Sequence, residues 1–70
     1  MKLNLSDYEP KDVIRIIREW TELTQKEFGK SINKAERTMQ DYESDRSRYY
    51  IYTLYKIEQV HNVEIIISKK

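Results

Sequence analysis

The 70-residue sequence predicts a mainly α fold, four short helices with a short β-strand at each end of the chain. Three observations carry this prediction. Apolar residues recur at helical spacing in four separate stretches, a capping signal at Thr24 and Glu27 opens a helix in mid-chain, and a β-branched run, Val63 to Ser68, closes the sequence.

Composition bounds what such a chain can do. A chain this short buries about 60% of the surface it exposes when unfolded, which allows one domain, residues 1–70, with a small core. Hydrophobic residues make up 39% and charged residues 36%, the balance of a soluble globule. There is no cysteine and one histidine, so disulfides, thiolate metal sites and a cysteine nucleophile are excluded, and no cofactor is expected. No serine, histidine and carboxylate fall in a suggestive order, so the chain does not read as an enzyme. The start, Met1 to Leu5, lacks the apolar run of a secretory signal, and no stretch is apolar for long enough to span a membrane, so the expected location is cytoplasmic. A formal net charge of +1 means that any nucleic-acid contact must depend on where charges are placed, not on bulk charge.

The first helix starts near Pro10, where a missing N–H costs nothing in a first helical turn, and runs toward Leu23. It carries two apolar stripes: Ile14, Ile17 and Thr21, and roughly 100° round the axis Val13, Ile16 and Trp20. The second stripe needs a separate cover. Thr24-Gln25-Lys26-Glu27 is a capping box, so a second helix opens at Thr24, with Phe28 and Ile32 on its inner face. Gly29 stands beside Phe28 at a helix cost of roughly 1 kcal/mol, which suggests close backbone approach to a neighbouring helix.

Ile32-Asn33-Lys34 reads as a sharp turn, because asparagine tolerates the left-handed conformation. In the third helix Ala35, Met39 and Tyr42 form the inner stripe, and Glu36, Arg37, Gln40, Asp41 and Ser44 the outer face. Ser44 to Arg48 is a polar loop. The fourth helix places Tyr50 or Ile51, Leu54, Ile57, Val60 and His61 inward and stops at Asn62, with Tyr49, Tyr50, Tyr52 and Tyr55 as packing aromatics. Val63 to Ser68 is a strand, with Lys2 to Leu5 as its possible partner. Its face bearing Val63, Ile65 and Ile67 is the expected cover for Val13, Ile16 and Trp20, which leaves Ile66 on the other side.

Two short helices joined by a tight turn, the second polar on its outer face, are the parts of a helix-turn-helix unit, whose second helix can enter a DNA major groove roughly 12 Å wide. In Leu23-Thr24-Gln25-Lys26-Glu27-Phe28-Gly29, Ile32-Asn33 and Arg37-Thr38-Met39-Gln40-Asp41-Tyr42-Glu43 the sequence resembles the Cro/CI-like, or XRE, family of lambda-repressor-like DNA-binding domains. The resemblance covers about residues 11–61. It implies a compact four-helix domain whose third helix reads bases, usually as a homodimer on a palindromic operator, and a repressor of the kind carried by phages and mobile elements. It also implies that Gln25 meets a phosphate, that Ala35, Glu36, Arg37 and Asp41 face base edges, and that Arg18 and Glu43 form an internal salt bridge. The chain departs from the family pattern at Asn33 and Asp45, where glycine is preferred, and at Lys34, Ala35 and Glu58, where an apolar residue, a capping serine and alanine are preferred.

Residue chemistry adds its own expectations. The helix start at Thr24 and Gln25 favours an anion. Arg37 can offer two parallel donors to guanine, and Gln40 can pair with adenine. Asp41, one turn after Arg37, can hold the guanidinium or accept from cytosine, although the two residues also make an ordinary solvated pair worth roughly 0.2–0.5 kcal/mol. Lys26, Lys30, Lys34, Arg46 and Arg48 bracket the third helix and suit backbone phosphates, with Tyr50 as a further hydroxyl donor. The expected partners are thus double-stranded DNA and a second copy of the chain, joined through Ile65, Ile66 and Ile67 on an edge strand. The competing expectation is a protein-interaction module, such as an antitoxin, that uses Glu36 and Asp41 to meet another protein.

Overall fold

A computed structural model describes residues 1–67 of the chain. The elements follow in the order β1 (Lys2–Asn4), a 3-10 turn (Leu5–Asp7), α1 (Pro10–Thr21), α2 (Gln25–Ser31), α3 (Glu36–Glu43), α4 (Ile51–His61) and β2 (Glu64–Ile66). The fold is mainly helical with a strand at either end, as the apolar periodicities predict. Ser68, which the sequence assigns to the last strand, lies outside the described residues.

β1 and β2 pair in parallel, Lys2 with Glu64, Leu3 with Ile65 and Asn4 with Ile66. A parallel pair needs a long crossover connection, and here all four helices supply it. The two ends of the chain thereby close the domain. Lys2 Nζ lies 3.6 Å from Glu64 Oε2 across the strands, and the Glu58 carboxylate accepts the backbone N–H of Ile65 at 2.9 Å. Glu58 thus ties α4 to β2. Leu5 is not in the strand: Asn4 Oδ1 accepts from the Ser6 N–H at 3.1 Å and starts the 3-10 turn instead.

The core gathers Leu3, Val13, Ile14, Ile17, Phe28, Ile32, Met39, Tyr42, Leu54, Ile57 and Val63, with Ile16, Leu23 and Ile65 packed at its margin. The radius of gyration, 11.2 Å, matches the roughly 11 Å expected for a compact chain of this length. Among the described residues no helix is long and apolar enough to cross a membrane.

Local chemistry sets the boundaries. Pro10 opens α1, as the sequence predicts. Glu22 ends it in the left-handed conformation at φ 61°, where its N–H reaches Arg18 O and Glu19 O. Thr24 Oγ1 accepts from the Glu27 N–H at 3.1 Å, and Glu27 Oε1 accepts from the Thr24 N–H at 3.0 Å, which completes the expected capping box. Asn33 turns at φ 61°, Asp45 at φ 64° and Asn62 at φ 55°. Asn33 and Asp45 therefore supply left-handed backbone without glycine. A Cβ on Gly29 would lie 2.7 Å from Lys34 O and 3.0 Å from Met39 Cγ, so the absent side chain lets α2 lie directly against the turn and α3.

Several inward assignments are corrected. Trp20 is 51% exposed: Val13 and Ile16 take the inward part of its stripe, and the sheet expected to cover it ends at Ile66, with Ile67 58% exposed. Ala35 is exposed because it is the residue before the first turn of α3, so the buried stripe begins at Met39. In α4 the buried residues are Thr53, Leu54 and Ile57. At 100° per residue this phase turns Ile51 and Tyr55 away from the core, and Val60 also lies outside it. Tyr50, Tyr52 and Tyr55 are accordingly exposed and are not packing aromatics. Tyr49 does pack, edge-on to Tyr42 with ring centroids 5.5 Å apart, and its hydroxyl donates to Pro10 O at 2.8 Å.

Candidate nucleic-acid interface

The third helix is held from below. Met39 and Tyr42 are buried, and Glu43 receives two hydrogen bonds from Arg18 of α1, Nε to Oε2 at 2.8 Å and Nη2 to Oε1 at 2.9 Å. With its inner face fixed in this way, α3 presents Glu36, Arg37 and Gln40 outward, all three exposed. Thr24 through Glu43 is not one rod: Asn33 breaks it, and Lys34 N–H returns to Gly29 O at 2.7 Å to brace the turn.

Arg37 and Asp41 make the i, i+4 pair anticipated from spacing, Nε to Oδ1 at 3.3 Å, with side chains 73% and 29% exposed. Asp41 thus lies deeper and engages Arg37 only through Nε. Among the described residues neither terminal nitrogen of the guanidinium has a partner, which leaves both for a bidentate contact. The backbone carbonyl of Asp41 also accepts the N–H of Arg46 at 2.9 Å, so the loop after α3 folds back onto the same residue.

The start of α2 carries a mixed signal. Gln25, half-buried, sits in the first turn where free N–H groups favour an anion. The Glu27 carboxylate occupies that turn as well, and hydrogen bonds from the Thr24 backbone and then its side chain hold its pKa below the usual carboxylate value. Thr24 thus gives its N–H to Glu27, and its hydroxyl is engaged with the same residue.

Of the expected phosphate contacts, Lys26, Lys30 and Lys34 come together. With Asn33, Ala35 and Glu36 they line a shallow groove of about 390 Å³ where α2 meets the start of α3. Arg48 does not join them, but lines depressions beside Pro10 with Glu9, Lys11 and Asp45 on one side and Leu5, Tyr8 and Tyr49 on the other. Tyr50, 71% exposed, stacks on Tyr52 with ring centroids 5.8 Å apart. The Lys34 ammonium lies 5.6 Å from the Tyr52 ring centroid, so Tyr52 connects Tyr50 to the lysine groove. The sequence reading makes Tyr52 a packing aromatic and gives Lys56 no role, although their i, i+4 spacing on α4 puts them on one face.

His61 takes a packing role. Its ring stacks on Phe28 at 4.7 Å between centroids, and Nε2 lies 2.7 Å from Ser31 Oγ. Among the residues expected at a dimer contact, Ile65 and Ile66 are half-buried and Ile67 is exposed. No protein-family model matches the chain, and neither a curated protein nor a solved structure matches it significantly.

Proposed function

We propose that the chain is a sequence-specific, non-enzymatic DNA-binding regulator of the Cro/CI-like kind, which lays α3 in the major groove and acts as a repressor on a palindromic operator. One observation carries the reading: a braced α2–turn–α3 unit whose outer face holds an exposed guanidinium, Arg37, beside exposed Gln40 and below a lysine-lined groove. Arg37 suits the O6 and N7 of guanine and Gln40 the edge of adenine, with Ala35, Glu36 and Asp41 beside them. Gln25 with Lys26, Lys30, Lys34 and Tyr50 would take phosphates on one side, and Arg46 and Arg48 on the other.

The acting species in this proposal is a homodimer, because half-sites one helical turn apart, about 34–36 Å, need two reading helices. Support comes from Ile67, 58% exposed just after β2.

Selection of bound duplexes from a random pool, followed by fluorescence anisotropy on the winner, tests the reading. Affinity should fall steeply with added salt, and Arg37→Ala should cost about 1–3 kcal/mol at a single base position. Equal binding to all duplexes before and after that change sinks it. A second reading, a protein-interaction module such as an antitoxin, draws on the exposed Ile51, Tyr52 and Tyr55 of α4. It predicts a partner complex that salt barely weakens and no enriched duplex.

A further inference from the structure

From the groove between the α2–α3 turn and the first turns of α4 we infer a binding site for a phosphate group, distinct from the base-reading face of α3. The groove, about 270 Å³, is lined by Ile32, Asn33, Lys34, Tyr52, Thr53 and Lys56. Thr53 is 1% exposed, and its hydroxyl is the one buried side-chain polar atom among the described residues without a hydrogen-bond partner. An unpaired buried hydroxyl destabilises a fold, and valine would fill the same volume without that defect. The hydroxyl is therefore a donor that the fold itself leaves without a partner, and a ligand seated in the groove that Thr53 lines can supply one.

The lining decides the class of that ligand. It contains two ammonium groups, Lys34 and Lys56, and no carboxylate. Among the described residues neither lysine has an acidic partner, since Lys34 rests over the Tyr52 ring and Lys56 is exposed. Asn33 adds an amide donor. Thr53 and Tyr52 lie in the first turn of α4, whose capping residue Tyr50 makes no side-chain hydrogen bond to it, so no side-chain cap offsets the positive end of the helix. Two ammoniums, an amide, a hydroxyl donor and a helix start suit the several acceptor oxygens of a phosphate better than any neutral ligand. The inference stands apart from the DNA reading, because a free phosphate and a phosphodiester of a duplex present the same oxygens.

The test uses the full chain labelled with nitrogen-15 and titrated with inorganic phosphate at constant ionic strength, with chloride as control. The expected result is saturable movement of the Asn33, Lys34, Tyr52, Thr53 and Lys56 amide signals. Thr53→Val and Lys56→Gln should each weaken binding by about tenfold or more, the loss of one hydrogen bond to a charged group, while Thr53→Ser retains it. Thr53→Val should fold at least as stably as the parent, and Lys56→Gln, at an exposed position, serves if it does not. Movement that chloride reproduces, or binding that both Thr53→Val and Lys56→Gln leave unchanged, overturns the site. A duplex that moves the same signals and competes with phosphate identifies a backbone phosphodiester as the ligand. Phosphate binding without duplex binding identifies a free phosphate and sinks the DNA reading alone.

Discussion

The guanidinium of Arg18 and the carboxylate of Glu43, 25 residues apart, meet face to face through two parallel hydrogen bonds of 2.8 and 2.9 Å, with side chains 19% and 8% exposed. Hydrogen bonding to Glu43 raises the Arg18 pKa above its ordinary value against the opposing effect of burial. Arg18 Nη1 also donates to Leu23 O at 3.2 Å, so one side chain joins α1, the α1–α2 connection and α3. Removing one partner leaves the other charge buried alone, and Glu43→Ala should lower stability by about 3 kcal/mol in urea denaturation. The double change Arg18→Met with Glu43→Leu should recover most of that loss. A single variant as stable as the parent would show that the pair does not anchor α3.

Gly29→Ala sets helix propensity against sterics. Alanine gains roughly 1 kcal/mol over glycine inside a helix, but here its Cβ would lie 2.7 Å from Lys34 O and 3.3 Å from Ala35 O, both backbone atoms with little freedom to move. Overpacking of this kind costs typically about 1–3 kcal/mol. The variant should therefore be destabilised, and on the DNA-binding proposal the displaced turn should weaken duplex binding beyond what lost stability explains. A thermal midpoint above the parent's would mean that α3 can shift outward freely.

How much of this was legible in the sequence depends on how local the cause is. The capping box at Thr24, the stop at Asn62, the left-handed turn at Asn33 and the close approach at Gly29 depend on a few neighbouring residues, and the structure has each of them. The phase of α4 is different. Ile51, Leu54, Ile57 and Val60 make a plausible stripe on their own, but packing against the rest of the chain decides which side is covered, and it buries Thr53 in place of Ile51 and Val60. Trp20 lies outside the core for a similar reason, since β-branched patterning does not say where a strand ends. At the candidate site, helical spacing reveals the outward set on α3 and the Arg37–Asp41 pair. It cannot reveal that Lys34 and Tyr52 meet from separate helices.

Glu22 offers a gain in stability. It ends α1 at φ 61°, a conformation that costs roughly 1–2 kcal/mol for most side chains and little for glycine, and its own side chain is exposed. Glu22→Gly should raise stability by about 0.5–1 kcal/mol, because some of the relief is offset by a more flexible unfolded chain. Asn33→Gly should gain less, since asparagine already tolerates the same angle. Calorimetry of the two variants beside the parent checks the order, and an equal or larger gain at Asn33 would refute it.

His61 sets a pH dependence whose sign follows from its surroundings. Burial against Phe28 lowers its pKa below the ordinary 6.5, so the folded chain favours the neutral ring. Ser31 Oγ donates to Phe28 O and so accepts from Nε2, which puts the proton of the neutral ring on Nε2. Below pH 6.5 the unfolded chain binds a proton that the folded chain resists, so this contribution is complete above 6.5 and fades as the pH falls toward the folded-state value. Urea midpoints of the parent should drop between about pH 7.5 and about pH 5.5, whereas His61→Gln, which cannot titrate, should be less stable at the upper pH and should lose less between the two. Parallel pH profiles for parent and variant would show that the stacked ring does not carry the effect.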